Sequence, residues 1–299
     1  MKKIGLDWIK VFPHDLKFAQ TQTYEMCIEA VGQYGYLLKD VRWSELNLTK
    51  EQLYNLYLIA VKQNGKALKY VELDELSKEK IDKICLLAVR NYGGALEYVK
   101  NQTDEMCLIA VKNWGWNLYY VKNQTEEICI EAVKQNGSSL QYVNKQTPKL
   151  CLEAVKQNGS ALDYVNWIEL KGKFSKEQLY EICIEAVKQN GLAIQYIEEQ
   201  TDEICREALK QNICAIKYVN AKEKYLDEFG VKYLEKQGKA REVFAVKRYN
   251  KWLFTVGCQN NITKEKFINR IYNTDGGFDK EKGVNVHRQT YVDFLKEFE

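Results

Sequence analysis

The stretch Ala132-Val133-Lys134-Gln135-Asn136-Gly137 decides how this chain is read, because it returns at a fixed distance. It is preceded at 22 residues by Ala110-Val111-Lys112-Asn113-Trp114-Gly115 and followed at 22 by Ala154-Val155-Lys156-Gln157-Asn158-Gly159. Self-similarity at a short fixed period means stacked supersecondary units, none of which can bury its apolar face alone. Such a solenoid is normally a binding surface rather than a reaction vessel.

Taking the valine as anchor gives Val31, Val61, Val89, Val111, Val133, Val155, Val187 and Leu209, with spacings of 30, 28, 22, 22, 22, 32 and 22. We number these repeats 1 to 8. Thr23, Thr103, Thr125, Thr147 and Thr201 stand eight residues before their anchors as helix N-caps. In the longer units Thr49, Ser77 and Ser175 stand twelve before, about one extra turn. Thr49–Gln52 and Ser175–Gln178 have capping-box spacing. The apolar positions of Met106, Cys107, Leu108, Ala110 and Val111 form a wide helical face.

Gly35, Gly65, Gly93, Gly115, Gly137, Gly159 and Gly191 then end each helix, read as left-handed C-terminal caps. Ile213 replaces the glycine in repeat 8. A short second helix follows, as at Leu118–Val121, so each unit reads as an αα-hairpin. The connections Val41–Leu46, Val71–Leu76 and Val165–Leu170 share a pattern whose Trp and Leu read as packing devices. Residues 1–22 match the unit loosely, with Pro13 in the glycine position, and read as a degenerate N-terminal cap.

After residue 220 the period changes. Residues 222–237 read as a helix stopped by Gly238, and Val243–Val256 as a β-hairpin. Thr263 caps a helix through Tyr272, Asp275-Gly276-Gly277 is a loop, and Thr290–Phe298 is a last helix. The expected fold is mainly α: a right-handed α-solenoid of short αα-hairpin repeats with a small α+β C-terminal module. Its parts are the cap at 1–22, an eight-unit solenoid at 23–220 and the module at 221–299.

Composition narrows the function. Seven of nine cysteines (Cys27, Cys85, Cys107, Cys129, Cys151, Cys183 and Cys205) occupy one column four residues before the anchor, where Tyr57 is the exception. That is a buried small hydrophobe repeated, rather than a disulfide or zinc set, since only His14 and His287 accompany it. No cofactor or metal is expected. Asp7, Lys10, His14 and Asp15 interrupt any signal-peptide core, and no apolar run is long enough to span a bilayer, so a cytosolic monomer is expected. Residues 221–299 carry 16 basic and 12 acidic residues of the chain's 44 and 41, leaving 28 and 29 for residues 1–220. A nonspecific nucleic-acid binder would be far more basic.

Three columns follow the anchor. The first is basic: Lys62, Arg90, Lys112, Lys134, Lys156, Lys188 and Lys210, with Gly32 the exception. The second is amide: Gln33, Gln63, Asn91, Asn113, Gln135, Gln157, Gln189 and Gln211. The third reads Tyr34, Asn64, Tyr92, Trp114, Asn136, Asn158, Asn190 and Asn212. Cation to phosphate, amide to base edge and aromatic to base face is the inventory of single-stranded RNA recognition. Two further columns vary most: Tyr36, Lys66, Gly94, Trp116, Ser138, Ser160, Leu192 and Cys214, and Lys39, Lys69, Glu97, Tyr119, Gln141, Asp163, Gln195 and Lys217. Variation on a constant frame can encode a sequence. The same Lys-Gln-Asn-Gly run is also an ordinary solvated helix C-terminus, with Lys favoured by the dipole. The Tyr column from Tyr70 to Tyr218 reads as packing beside the second helix.

The run Glu153–Val165, and again Glu185–Ala193, resembles the tandem repeat catalogued as the domain-of-unknown-function 4116 family. Some phage inhibitors of type VI CRISPR immunity look similar. The resemblance covers about residues 20–220 and implies a phage or mobile-element origin and an intracellular role as antagonist of host defence. It supplies no catalytic residues. The leading expectation is a sequence-selective single-stranded RNA-binding solenoid that suppresses a host defence gene through its mRNA. The alternative is a protein-binding solenoid that grips a host nuclease or other defence protein. An enzyme would rest on His287, beside Arg288, Lys251 and Asp275, with no second base to pair with it; no catalysis is expected. Lys247, Arg248 and Lys251 at the hairpin offer phosphate contacts or a solvated tip.

Overall fold

A computed structural model describes residues 4–298 apart from 73, 75, 171, 238–239, 249, 257–258, 274–277, 280–283 and 286–287. The chain divides into two compact units, Met1–Phe174 and Ser175–Glu299. The division falls at the longest connection between repeats, so repeats 1 to 6 lie in the first unit and repeats 7 and 8 in the second.

Every repeat has the same build: an α-helix, an extended residue, then a six-residue 3-10 helix. The α-helices are α2 (Tyr24–Gln33), α3 (Lys50–Gln63), α4 (Lys78–Asn91), α5 (Asp104–Asn113), α6 (Glu126–Gln135) and α7 (Pro148–Gln157) in the first unit. They are preceded there by α1 (Leu6–Val11) and followed by the short α8 (Trp167–Leu170). Helices α9 (Lys176–Gln189) and α10 (Asp202–Gln211) belong to the second unit. The cap has the same order, with α1 followed by a 3-10 turn at Pro13–Phe18. The architecture is a helical-repeat solenoid.

The threonine caps form as the spacing requires: Thr103 Oγ1 accepts from the Met106 N–H at 3.3 Å, and Thr125 from Ile128 at 3.3 Å. Thr49–Gln52 and Ser175–Gln178 are both full capping boxes. Ala and anchor are fully buried from repeat 1 to repeat 7, and Leu209 is nearly so. Each anchor side chain contributes about 1.5–3 kcal/mol by burial.

The second half of the unit is 3-10 rather than α, for example Gly115–Tyr120 and Gly137–Tyr142. The buried positions explain it. Gly115, Leu118 and Val121 recur every third residue, the period of a 3-10 helix. Six residues rising about 2.0 Å each also run back nearly the length of a ten-residue α-helix, about 15 Å.

The glycine column differs from expectation as well. Among the described residues only Gly172 and Gly230 are glycines with positive φ. The repeat glycines are there for close approach. A Cβ on Gly35, Gly65, Gly115, Gly137 or Gly191 would lie well inside contact distance of the carbonyl oxygen of Ala60, Ala88, Ala132, Ala154 or Ala208 in the next repeat.

In the second unit a four-stranded antiparallel sheet follows the repeats: β1 (Val231–Leu234), β2 (Val243–Arg248), β3 (Lys251–Val256) and β4 (Gln259–Thr263), in that order. The expected hairpin is β2–β3, turning at Asn250 with φ 61°. The helix expected over 222–237 is instead a 3-10 turn at Lys222–Tyr225, a reversal at Gly230 with φ 60°, and strand β1. Tyr233 stacks on Phe244 across the β1–β2 pair at 4.8 Å, so sheet packing overrides local helical pattern. Helices α11 (Lys264–Asn273) and α12 (Arg288–Leu295) complete the module, around a core of Val243, Ala245, Phe254, Ile262, Phe267, Ile271, Phe294 and Leu295. A two-residue pair, β5 (Phe278–Asp279) and β6 (Val284–Asn285), lies between them in sequence.

Candidate functional site

Two sets of amides stitch the repeats together. In the column that sequence assigned to base edges, Gln63, Asn91, Gln135, Gln157 and Gln211 reach back to the repeat before them. The Gln63 Oε1 accepts from the Gly35 N–H at 2.6 Å, and its Nε2 donates to the Gln33 carbonyl at 2.9 Å. Asn91 does the same to Gly65 and Lys62, and Gln211 to Gly191 and Gln189. Gln135 and Gln157 accept from Gly115 and Gly137, both at 2.6 Å. Gln33 donates to the Lys10 carbonyl of the cap. For Gln63, Asn91 and Gln211 both amide atoms are therefore engaged within the protein, which gives them a part in the scaffold. Asn113 is exposed and makes no such bond among the described residues; in its repeat Asn117 is buried instead and donates to the Ala110 carbonyl at 2.8 Å.

The asparagines of the third column are local caps. The Oδ1 atoms of Asn64, Asn136, Asn158, Asn190 and Asn212 accept from the N–H two residues on, at 3.0–3.1 Å. Asn158 also donates to Ser138 Oγ of the previous repeat.

The second ladder was not anticipated. Gln22, Gln102, Gln124, Gln146 and Gln200 each stand just before a capping threonine. Gln102 Nε2 donates to the carbonyls of Leu96 and Tyr120, joining consecutive 3-10 helices, and its Oε1 accepts from Lys122 N–H and the Cys107 thiol. The cysteine column is thus a small buried group with a weak donor aimed at a glutamine. Cys129 and Cys151 repeat the contact with Gln124 and Gln146 at 3.6 and 3.7 Å. In repeat 2 the Tyr57 hydroxyl takes over, accepting from the Glu72 N–H. The repeated Gln-Thr dipeptide was the available signal.

Burial pushes the thiols of Cys27, Cys151 and Cys183 up to about 12 and those of Cys85, Cys107 and Cys129 to about 11. They are inert at neutral pH. Among the described residues no cysteine is in a disulfide and no group of three or more His, Cys, Asp or Glu can hold a metal ion. His287 and Asp275 lie outside the described residues. Arg288 packs over the Tyr272 ring at 4.7 Å, and Lys251 is exposed on β3.

The basic column is exposed throughout but largely neutralised. Arg90 pairs with Glu105, Lys112 with Glu131, Lys188 with Glu185 and Lys210 with Glu207. Lys62, Lys134 and Lys156 make no ion pair among the described residues.

Beside these scaffold columns runs a ridge built from the 3-10 helices, and there the repeats diverge. Repeat 4 places Trp114, Trp116 and Tyr119 where repeat 5 has Asn136, Ser138 and Gln141. Trp114 is 54 % exposed and Tyr119 67 %. The two indoles are parallel within 6°, their centroids 5.9 Å apart. Trp116 and Tyr119 both meet Tyr142 of repeat 5 edge-on, at 5.8 and 5.4 Å. On the other side, Tyr92 of repeat 3 lies flat over Gly94, where a Cβ would collide with its ring, and Lys66 sits over its face at 4.8 Å. Burial, then Glu97, then the neighbouring Tyr120 and Tyr92 raise the Tyr98 hydroxyl pKa, so these rings share one patch. A smaller group at the cap joins His14 to Tyr34 and Tyr36, with 2.5 Å between His14 Nε2 and the Tyr36 hydroxyl.

Three segments match one family model. Residues 103–147, 125–171 and 180–223 each match the model described as Domain of unknown function (DUF4116). Each match takes in two successive repeats, so the chain carries tandem repeats similar to this domain. No curated protein and no solved structure matches the chain. Among the described residues no helix is long and apolar enough to cross a membrane.

Proposed function

We propose that this chain is a recognition scaffold that grips a protein partner through the aromatic ridge of repeats 3 to 5. The observation that carries the reading is the exposed Trp114–Trp116–Tyr119 group, set on the 3-10 turn Gly115–Tyr120 and the residue before it, and found in one repeat only. Trp and Tyr dominate protein-binding hot spots because they bury large area at small entropic cost. The matching positions of the next repeat are polar (Asn136, Ser138 and Gln141), the kind of residue that forms the rim of such an interface. The resemblance to phage inhibitors would make the partner a host defence protein such as a nuclease, met in the bacterial cytosol.

Single-stranded RNA is the second reading, supported by the parallel indoles and by Lys66 over Tyr92, which suit stacked bases and phosphate. It has less support than the columns promised: Gln33, Gln63, Asn91, Gln135, Gln157 and Gln211, assigned to base edges, are hydrogen-bonded to backbone within the protein, and four of the seven cations are paired. In this reading the target is a host defence transcript.

The test is affinity capture from host cells with wild type and with the Trp114→Ala/Trp116→Ala variant, each with and without RNase. A protein retained after RNase and lost with the variant supports the first reading. RNA of one enriched sequence, lost with the same variant, supports the second. A partner set identical for wild type and variant would sink both.

A further inference from the structure

The second unit contains a surface cavity of about 310 Å³ that the ridge does not involve. Gln211, Asn212, Cys214 and Lys217 from repeat 8 line it, with Arg248 at the end of β2 and Asn261 in β4; Leu192 supplies an apolar wall. No carboxylate is among its described lining residues. Elsewhere in this unit several cations do have acid partners: Lys210 with Glu207, Arg206 with Glu228, Lys222 with Glu242 and Lys224 with Asp202. Lys217 and Arg248 alone line the cavity as cations, and neither makes an ion pair among the described residues. Lys217 instead lies over the Tyr218 ring at 4.7 Å.

The neutral groups are also left as donors. Asn212 Oδ1 accepts the Cys214 N–H at 3.0 Å, and Asn261 Oδ1 accepts the Cys214 thiol at 3.6 Å. With their oxygens engaged, both asparagines offer their Nδ2 groups. Asn261 holds its place with φ 56°, a left-handed conformation that Asn tolerates better than most residues. Two unpaired cations and two amide donors around one cavity form a site for a multiply charged oxyanion.

We propose that this cavity binds the phosphoryl group of a small phosphate monoester. Arg248 and Lys217 supply charge-assisted hydrogen bonds, Asn212 and Asn261 supply neutral ones, and Leu192 packs against the organic part. The volume is at the small end of ligand pockets, about 300–1,000 Å³, which suits a single phosphorylated metabolite.

The experiment titrates the full chain with inorganic phosphate, and then with a mononucleoside 5′-monophosphate, at constant ionic strength set with chloride, by calorimetry. Saturable binding is expected, tighter for the nucleotide than for phosphate. Arg248→Gln and Lys217→Gln should each weaken it about tenfold or more, as loss of a charge-assisted bond does. Lys247→Gln, on the opposite side of the same strand, should leave it unchanged. Alkylation of Cys214, followed by peptide mass mapping, gives a second readout, because Cys214 is the one described cysteine that is not buried. Bound phosphate should slow it. Absence of saturable binding, equal affinity in wild type and both lining variants, or a Cys214 rate indifferent to saturating phosphate would each overturn the proposal. Phosphate binding tighter than nucleotide would overturn the monoester assignment.

Discussion

Gln135 and Trp116 belong to adjacent repeats and face opposite tasks. Gln135 lies in a column that is Gln or Asn in all eight repeats, and its carbonyl oxygen is used at 2.6 Å by the backbone of the repeat before it. Trp116 lies in a column that reads Tyr, Lys, Gly, Trp, Ser, Ser, Leu, Cys, and its ring lies on the surface among other exposed rings. A residue kept along the column answers a recurring need, and for Gln63, Asn91, Gln135, Gln157 and Gln211 that need is a bond to the repeat before. A residue that changes from turn to turn is free of that need. Constancy therefore goes with the seam bonds in this chain, and the proposed recognition patch lies where the repeats depart from one another.

The comparison can be broken first at the seam. Gly137→Ala forces a methyl against the Ala154 carbonyl of the next repeat. It should cost about 3 kcal/mol, the upper part of the range for overpacking, seen as a lower urea midpoint. An unchanged midpoint would mean that the repeats can separate freely. On the ridge, Trp114→Ala/Trp116→Ala should lower partner affinity by about 2 kcal/mol or more, roughly thirtyfold, in a titration with the captured partner. Its unfolding curve should stay close to wild type, since both indoles are exposed, Trp114 at 54 % and Trp116 at 37 %.

Next comes pH. The buried column thiols bind their protons more tightly in the folded state than in the unfolded one, because burial raises them to about 11 or 12 from an ordinary 9.0. Their contribution is fully present below pH 9 and is lost as pH rises toward 11–12. Stability measured at pH 8 and pH 10 should therefore fall in wild type, and fall less in a Cys129→Ala/Cys151→Ala variant. Equal declines in the two proteins would remove the thiols from the account. Smallest of all, Lys134→Gln/Lys156→Gln should change stability by less than about 0.5 kcal/mol, as exposed cations without partners do. If it abolished partner binding, the basic column would return as a recognition element.

The architecture was legible in the sequence because periodicity, threonine caps and buried Ala-Val pairs are local signals that repetition amplifies. What local signals left open was the role of the amide and glycine columns. An amide beside a glycine looks the same whether it reads a base or the backbone of a neighbour 20 residues away, and only the stacking shows Gln135 turned toward Gly115. The glycine column carried a similar ambiguity: left-handed turn and close approach call for the same residue, and the structure selects the second. The second half reads as a further helix of an αα-hairpin and is 3-10, a difference to which the three-residue spacing of Gly115, Leu118 and Val121 corresponds. Strand β1 was not visible, since Lys-Tyr-Leu-Glu suits a helix until Phe244 is placed beside Tyr233. The aromatic ridge was read in part: Trp114, Trp116 and Tyr92 were singled out, whereas Tyr119 and Tyr142 joined them only through contacts between repeats.

The most direct measurement is equilibrium urea unfolding of Gln135→Ala beside Trp114→Ala, under one set of conditions. Removing Gln135 leaves the Gly115 N–H without its partner in a tight seam, so a loss of about 1–3 kcal/mol is predicted. Removing Trp114 takes away an exposed ring and should leave stability within about 0.5 kcal/mol of wild type. The reverse order, with Trp114 essential to stability and Gln135 dispensable, would contradict the division between constant scaffold and variable recognition.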